Sequence, residues 1–126
     1  MKGYTGKLKE GKEIFVPYWP VDVSLENLTK AGKYFGTENI IRISELNIPA
    51  AIVAISECKD PANGAAFIKH CICQVRIDSQ KIEPDDVDTM FVGKIHEAVE
   101  MFVHVIHAQY ADFFVQGLVK ANSPQE

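Results

Sequence analysis

The residues of this 126-residue chain whose spacing best suits chemistry are Glu100, His104 and His107. On a helix, positions i, i+4 and i+7 share a face, and imidazole with carboxylate suits a divalent metal. A closed site would need a fourth ligand from another element, and no HExxH or paired ExxH pattern supplies it. A solvated polar face carrying a Glu–His pair is the simpler reading. His70, Cys71 and Cys73 raise the question of a thiol nucleophile or half a zinc site. On a helix His70 points about 100° away from Cys71, and Cys-x-Cys cannot converge well on one ion, so inert buried cysteines are expected. Asp85, Asp86 and Asp88 lack the alternating spacing of a calcium loop, and carboxylates favoured at a helix N-terminus account for them. Pro17-Tyr18-Trp19-Pro20 is a bare PxxP whose aromatics suit either packing or anchoring a partner. No glycine-rich phosphate loop or serine elbow occurs. These residues predict a protein that binds other proteins and is not an enzyme, with no metal and no cofactor; a small metal-dependent enzyme is the alternative of another class.

The elements that would position these residues are mainly helical. The expectation is a mainly α fold: a compact helical domain of five to six helices with a short N-terminal β-hairpin arm. Residues 1–23 form the hairpin and extended aromatic arm, residues 24–119 the helical body, and residues 120–126 a flexible tail. The turn at Glu10-Gly11-Lys12, between Leu8 and Ile14-Phe15-Val16, reads as a hairpin. Pro17 and Pro20 then end any ladder, so strand is expected only before Pro17. From Ser24 the period is helical. Leu25, Leu28, Gly32 and Phe35 share a face, and Gly36 is placed to close the helix. Thr37 is set to cap a second helix. Asn47 and Asp60, each one or two residues before a proline, start two more. Ile48, Ile52 and Ile55 stack at i, i+4 and i+7, and Phe67, Ile68, Cys71, Ile72 and Val75 form the next apolar arc. Asp78 to Glu83 is a connector, and Pro84 opens a short helical turn.

The last helix is the best defined. An arc of about 120° collects Phe102, Ile95, Phe113, Ile106, Val99, Gly117, Tyr110, Val103 and Phe114. Glu97, Glu100, His104 and His107 lie opposite. A narrower stripe of Ala98, Met101, Val105 and Ala108 runs beside the polar arc, with no evident partner inside so short a chain. This stripe and the Tyr18-Trp19 arm are the candidate partner-binding residues. Small residues at 98 and 108 would let a helix approach closely, and Met101 adapts to varied surfaces. A charge at Met101 or Val105 is therefore expected to abolish partner binding at little cost to stability.

Composition bounds the rest. Hydrophobic residues make up 47% and charged residues 24% of the chain, the balance of a folded globular domain. A formal charge of −4 without a basic run argues against nucleic acid. The longest apolar stretch, Ile48 to Ile55, is too short to span a membrane, and the polar start carries no secretion signal. Cys58, Cys71 and Cys73 read as free thiols in a reducing cytosol.

One further likeness rests on particular words of sequence. Gly6-Lys7-Leu8, Gly11-Lys12-Glu13-Ile14-Phe15-Val16 and the run from Trp19 through Asn27 to Tyr34 resemble the opening of small tail-assembly proteins of contractile-tailed bacteriophages. Ile48-Pro49-Ala50-Ala51-Ile52 and Ala108-Gln109-Tyr110-Ala111-Asp112-Phe113-Phe114 extend the resemblance over most of the chain. It implies a tail assembly chaperone, or a baseplate-hub assembly factor, acting in the host cytoplasm. Its implied partners are the tape-measure protein and tail-tube or baseplate proteins, with a homo-oligomer as a further possibility. The alternative within that system is a structural tail or baseplate component retained in the virion.

Overall fold

Prolines and polar caps set the element boundaries. The computed structural model describes the backbone of residues 2–122 and the side chains of residues 2–117. Among these are six helices and four strands. Strand β1 (Gly3–Lys7) pairs antiparallel with β2 (Glu13–Pro17), Tyr4 opposite Val16 and Gly6 opposite Ile14. Helix α1 (Val21–Phe35) starts a turn earlier than the Ser24 of the sequence reading. The Pro20 carbonyl already accepts the Ser24 N–H at 2.9 Å, and proline loses no donor at a helix start. Gly36 closes α1 at φ 89°, a left-handed value that glycine adopts without strain. Helix α2 (Thr37–Ser44) follows directly, without the side-chain cap expected of Thr37. Asn47 and Asp60 do cap α3 (Ile48–Ser56) and α4 (Pro61–Ile72), accepting the backbone N–H groups of Ala50 and Asn63.

Strand does not stop at Pro17. Residues Arg76–Ile77 (β3) and Gln80–Lys81 (β4) form a second small hairpin that extends the sheet in the order β1-β2-β3-β4. Its turn, Asp78-Ser79, holds both residues at positive φ, the geometry of a tight two-residue hairpin turn, with no glycine to advertise it. Helices α5 (Pro84–Met90) and α6 (Ile95–Asn122) complete the chain.

Helix α6 is the axis around which the rest packs: α2, α3, α4 and both strands of the first hairpin contact it. Phe102 meets Phe35 of α1 and Phe67 of α4 at ring-centroid distances of 5.8 and 6.2 Å, tying three helices together. On α3 the buried residues are Ala51 and Ala54, while Ile52 is 47% exposed. The expected stack of Ile48, Ile52 and Ile55 is therefore not the inner face. The small side chains let α3 lie close to its neighbours, and the isoleucines fall to the flanks.

The narrow stripe of α6 is also corrected. Met101 and Val105 are 0% exposed and belong to one core with Leu8, Ile14 and Val16 of the first hairpin; Ala98 and Ala108 are half-buried against it. The hairpin is bonded to Glu97, Glu100 and His104 on one side of the stripe and to Gln109 on the other, and so roofs it. The polar arc is covered with it. Glu97, Glu100 and His104 are buried, contrary to the solvated face expected of them.

Truncating Phe102 or Ile106 to alanine should lower unfolding free energy by about 2–5 kcal/mol in a urea titration, both side chains being fully enclosed. Met101→Glu, which the sequence reading expects to be silent for stability, should instead cost more than about 3 kcal/mol by burying an unpaired charge.

Candidate partner-binding site

The polar face of α6 fixes where the aromatic arm can sit. Lys9 N–H donates to Glu100 Oε2 at 2.8 Å, and Lys12 Nζ pairs with Glu97 Oε1 at 3.1 Å. Tyr4 Oη lies 3.0 Å from His104 Nδ1. Gly6 permits this approach, since a Cβ there would stand 2.9 Å from the same nitrogen. Farther along, Gln109 grips the chain leaving β2: its Oε1 accepts the Trp19 N–H at 3.0 Å and its Nε2 donates to the Pro17 carbonyl at 2.8 Å. The Trp19 ring rests edge-on against Tyr110, whose hydroxyl donates to the Ser24 carbonyl at 2.7 Å. Trp19 is thus half-buried on the body, while Tyr18 beside it is 52% exposed.

Glu100, His104 and His107 are each engaged within the chain. His107 Nδ1–H donates to the Ser44 carbonyl at 2.8 Å, while its ring packs edge-on against Tyr4 of the hairpin at a centroid distance of 5.2 Å. Among the described residues no three His, Cys, Asp or Glu side chains are placed to hold a metal ion. The thiol of Cys71 is fully buried, and burial together with the neighbouring Cys73 raises its pKa far above the ordinary value.

An open groove of about 590 Å³ lies elsewhere, where the last turns of α6 run past α1 and α2. Leu28, Thr29 and Gly32 of α1, Thr37, Ile40 and Ile41 of α2, and Phe113, Phe114 and Gly117 of α6 line it. It exists because α6 outlasts the body. A 28-residue helix is about 42 Å long, and its apolar arc keeps its azimuth beyond the last layer that covers it. Phe102 and Ile106 are enclosed on that arc, whereas Phe113 is 56% exposed and Ile95, at the other end, 78%. Phe113 and Gly117 belong to the same apolar arc as Phe102, so periodicity alone does not set them apart from the core. The available signal was the glycines: Gly32 and Gly117 both interrupt helical runs, where glycine costs about 0.5–1 kcal/mol relative to alanine. No packing among the described residues requires either of them. A Cβ at Gly32 would make only an ordinary 3.7 Å contact with Thr37 Oγ1, and one at Gly117 would meet nothing within 4 Å among the described residues.

The sequence candidates thus separate. Tyr18 and Trp19, on the arm beside α6, line a different hollow; Met101 and Val105 line the core; Ala98 and Ala108 border it.

Burial lowers the pKa of His104 below its ordinary 6.5, and His107 adds to the effect; Glu100 and a backbone hydrogen bond at Lys7 oppose it. The unfolded chain then takes up a proton near pH 6.5 that the folded chain refuses until lower pH. Stability should fall as pH drops below about 6.5 and level off once the folded imidazole is also protonated. Melting temperature followed against pH checks this, and His104→Gln should flatten the fall.

The sequence matches the family described as "Phage tail assembly chaperone protein, TAC" over residues 10–121, from the turn before β2 through nearly all of α6. No curated protein and no solved structure matches the chain. Among the described residues no helix is long and apolar enough to cross a membrane. With its match extending from the first hairpin through nearly all of the axial helix, the chain belongs to the phage tail assembly chaperone family.

Proposed function

We propose that the protein keeps the tape-measure protein soluble in the host cytoplasm by holding the apolar face of one of its helical segments in the groove between α1, α2 and the end of α6. The observation that carries this reading is the pair of glycines facing that groove, Gly32 and Gly117. Among the described residues neither is needed by the packing around it, and both open space that a helix backbone can enter. The remaining lining supplies what a helix-in-groove contact needs: leucine, isoleucine and two adjacent phenylalanines, one of them largely exposed. A row of apolar residues projecting from one helix face would bury its side chains there while its polar face stayed in water. The role asks for reversible cover, and a shallow open groove fits it better than an enclosed pocket.

The experiment is co-expression of the tagged protein with the tape-measure and tail-tube proteins, followed by affinity capture. The wild-type chain should retain the tape-measure protein. Gly117→Leu and Gly32→Leu should lose it, while their melting temperatures stay level or rise, because leucine favours the helix over glycine by about 0.8 kcal/mol. Undiminished capture by both variants would place the contact elsewhere.

A further inference from the structure

The groove does not end at Phe113. A second hollow, of about 350 Å³, shares Phe113 and Gly117 with it and adds Asp112 and Gln116. A third, of about 340 Å³, shares Asp112 with the second and reaches the arm, where Tyr18 and Trp19 stand over it. Through these shared residues the three adjoin one another in a band along the last described turns of α6. Among the described residues its lining contains one carboxylate, Asp112, and no lysine or arginine. Asp112 has no ion-pair partner among the described residues, unlike Glu26, which pairs with Lys30 on α1 at 3.4 Å. Asp22 adds a second exposed carboxylate on the first turn of α1, two residues before Ser24, itself a wall of the third hollow. On α1, Asp22 lies only about 20° around the axis from the groove residue Thr29. The basic residues of that helix, Lys30 and Lys33, stand toward its other end, where Lys33 follows the groove residue Gly32 and lies about 40° around the axis from Thr29. The band is therefore apolar along its length and acidic and aromatic at the arm.

Resting on the function proposed above, we infer that the segment held there is an amphipathic helix whose apolar stripe is flanked by lysine or arginine, with one cationic side chain lodged between Asp112 and the rings of Tyr18 and Trp19. A carboxylate accepts hydrogen bonds from an ammonium or guanidinium, and aromatic faces attract the same cation. A helix flanked by glutamates meets Asp112 and Asp22 at like charge and is rejected, so the site selects among helices of equal hydrophobicity. The net charge of −4 steers the same choice from a distance.

Two designed peptides of equal length test this, with identical apolar stripes flanked in one by lysines and in the other by glutamates. Each is titrated against the full chain by fluorescence anisotropy at low and high salt. The lysine peptide should bind about tenfold tighter at low salt, an advantage that shrinks as salt screens exposed charge. Asp112→Lys should erase the preference without moving the melting temperature, and Tyr18→Leu should weaken the lysine peptide about twofold to fivefold. Equal affinities, binding of neither peptide, or a preference that survives Asp112→Lys would each overturn the inference. A dimer that Gly117→Leu converts to a monomer in sedimentation would also overturn it, by giving the groove to a second copy. The two readings fail separately. If Gly117→Leu abolishes tape-measure capture while the peptides go undiscriminated, only the charge selection is wrong. If capture survives both glycine variants, the groove itself is wrong.

Discussion

Two carboxylates and an imidazole on one face of α6 are buried, and the seating of the first hairpin follows from the need to partner them, Glu97 Oε2 alone keeping no partner among the described residues. Leaving such groups unpaired out of water costs several times what a made hydrogen bond returns. The first hairpin supplies partners by three different means: a backbone N–H for Glu100, an ammonium for Glu97 and a phenol beside His104. Bringing a strand that near demands a residue without a side chain at position 6. Once seated, the same hairpin lays Leu8, Ile14 and Val16 into the core that holds Met101 and Val105. The polar contacts set the register, and the apolar contacts supply the area.

The arm inherits its position from this seating. Gln109 holds the chain just past β2 from both sides, so Trp19 packs on Tyr110 while Tyr18 is left outward. Half of the aromatic pair stabilises the fold and half remains available. The band at the end of α6 thus has a wall that belongs to the first twenty residues and a floor that belongs to the last third of the chain. The walls of the groove stand on α1, α2 and α6, yet lie outside the Phe35–Phe67–Phe102 cluster that keeps the body folded.

The length of α6 governs the rest. Its apolar arc is continuous, but the layers around it are not, so residues of one azimuth meet opposite fates. Ile106 is sealed, and Phe113, seven residues on, faces water. Exposed apolar surface of this kind is a liability unless something covers it. Glycines on either wall of the same groove widen it at a cost in helix stability that no neighbour within the described residues offsets.

Local chemistry was enough for much of the chain. The helical class, the caps at Asn47 and Asp60, the close of α1 at Gly36, the start at Pro84 and the first hairpin follow from hydrogen-bonding and φ preferences that act within a few residues. The resemblance to phage tail assembly proteins was also carried by the sequence itself. Periodicity gave the azimuth of each side chain on α6, but azimuth is not burial. Whether Met101 faces a partner or a strand of its own chain depends on where a hairpin ninety residues away comes to rest. The same holds for Glu97, Glu100 and His104, polar residues that read as solvated until their partners are known. Asp78-Ser79 turned tightly without the glycine that usually marks such a turn, and Ile52 lost the inner face of α3 to Ala51 and Ala54. The groove is the plainest case: it is space left between three helices where one outruns the others, and only tertiary structure can say where packing stops.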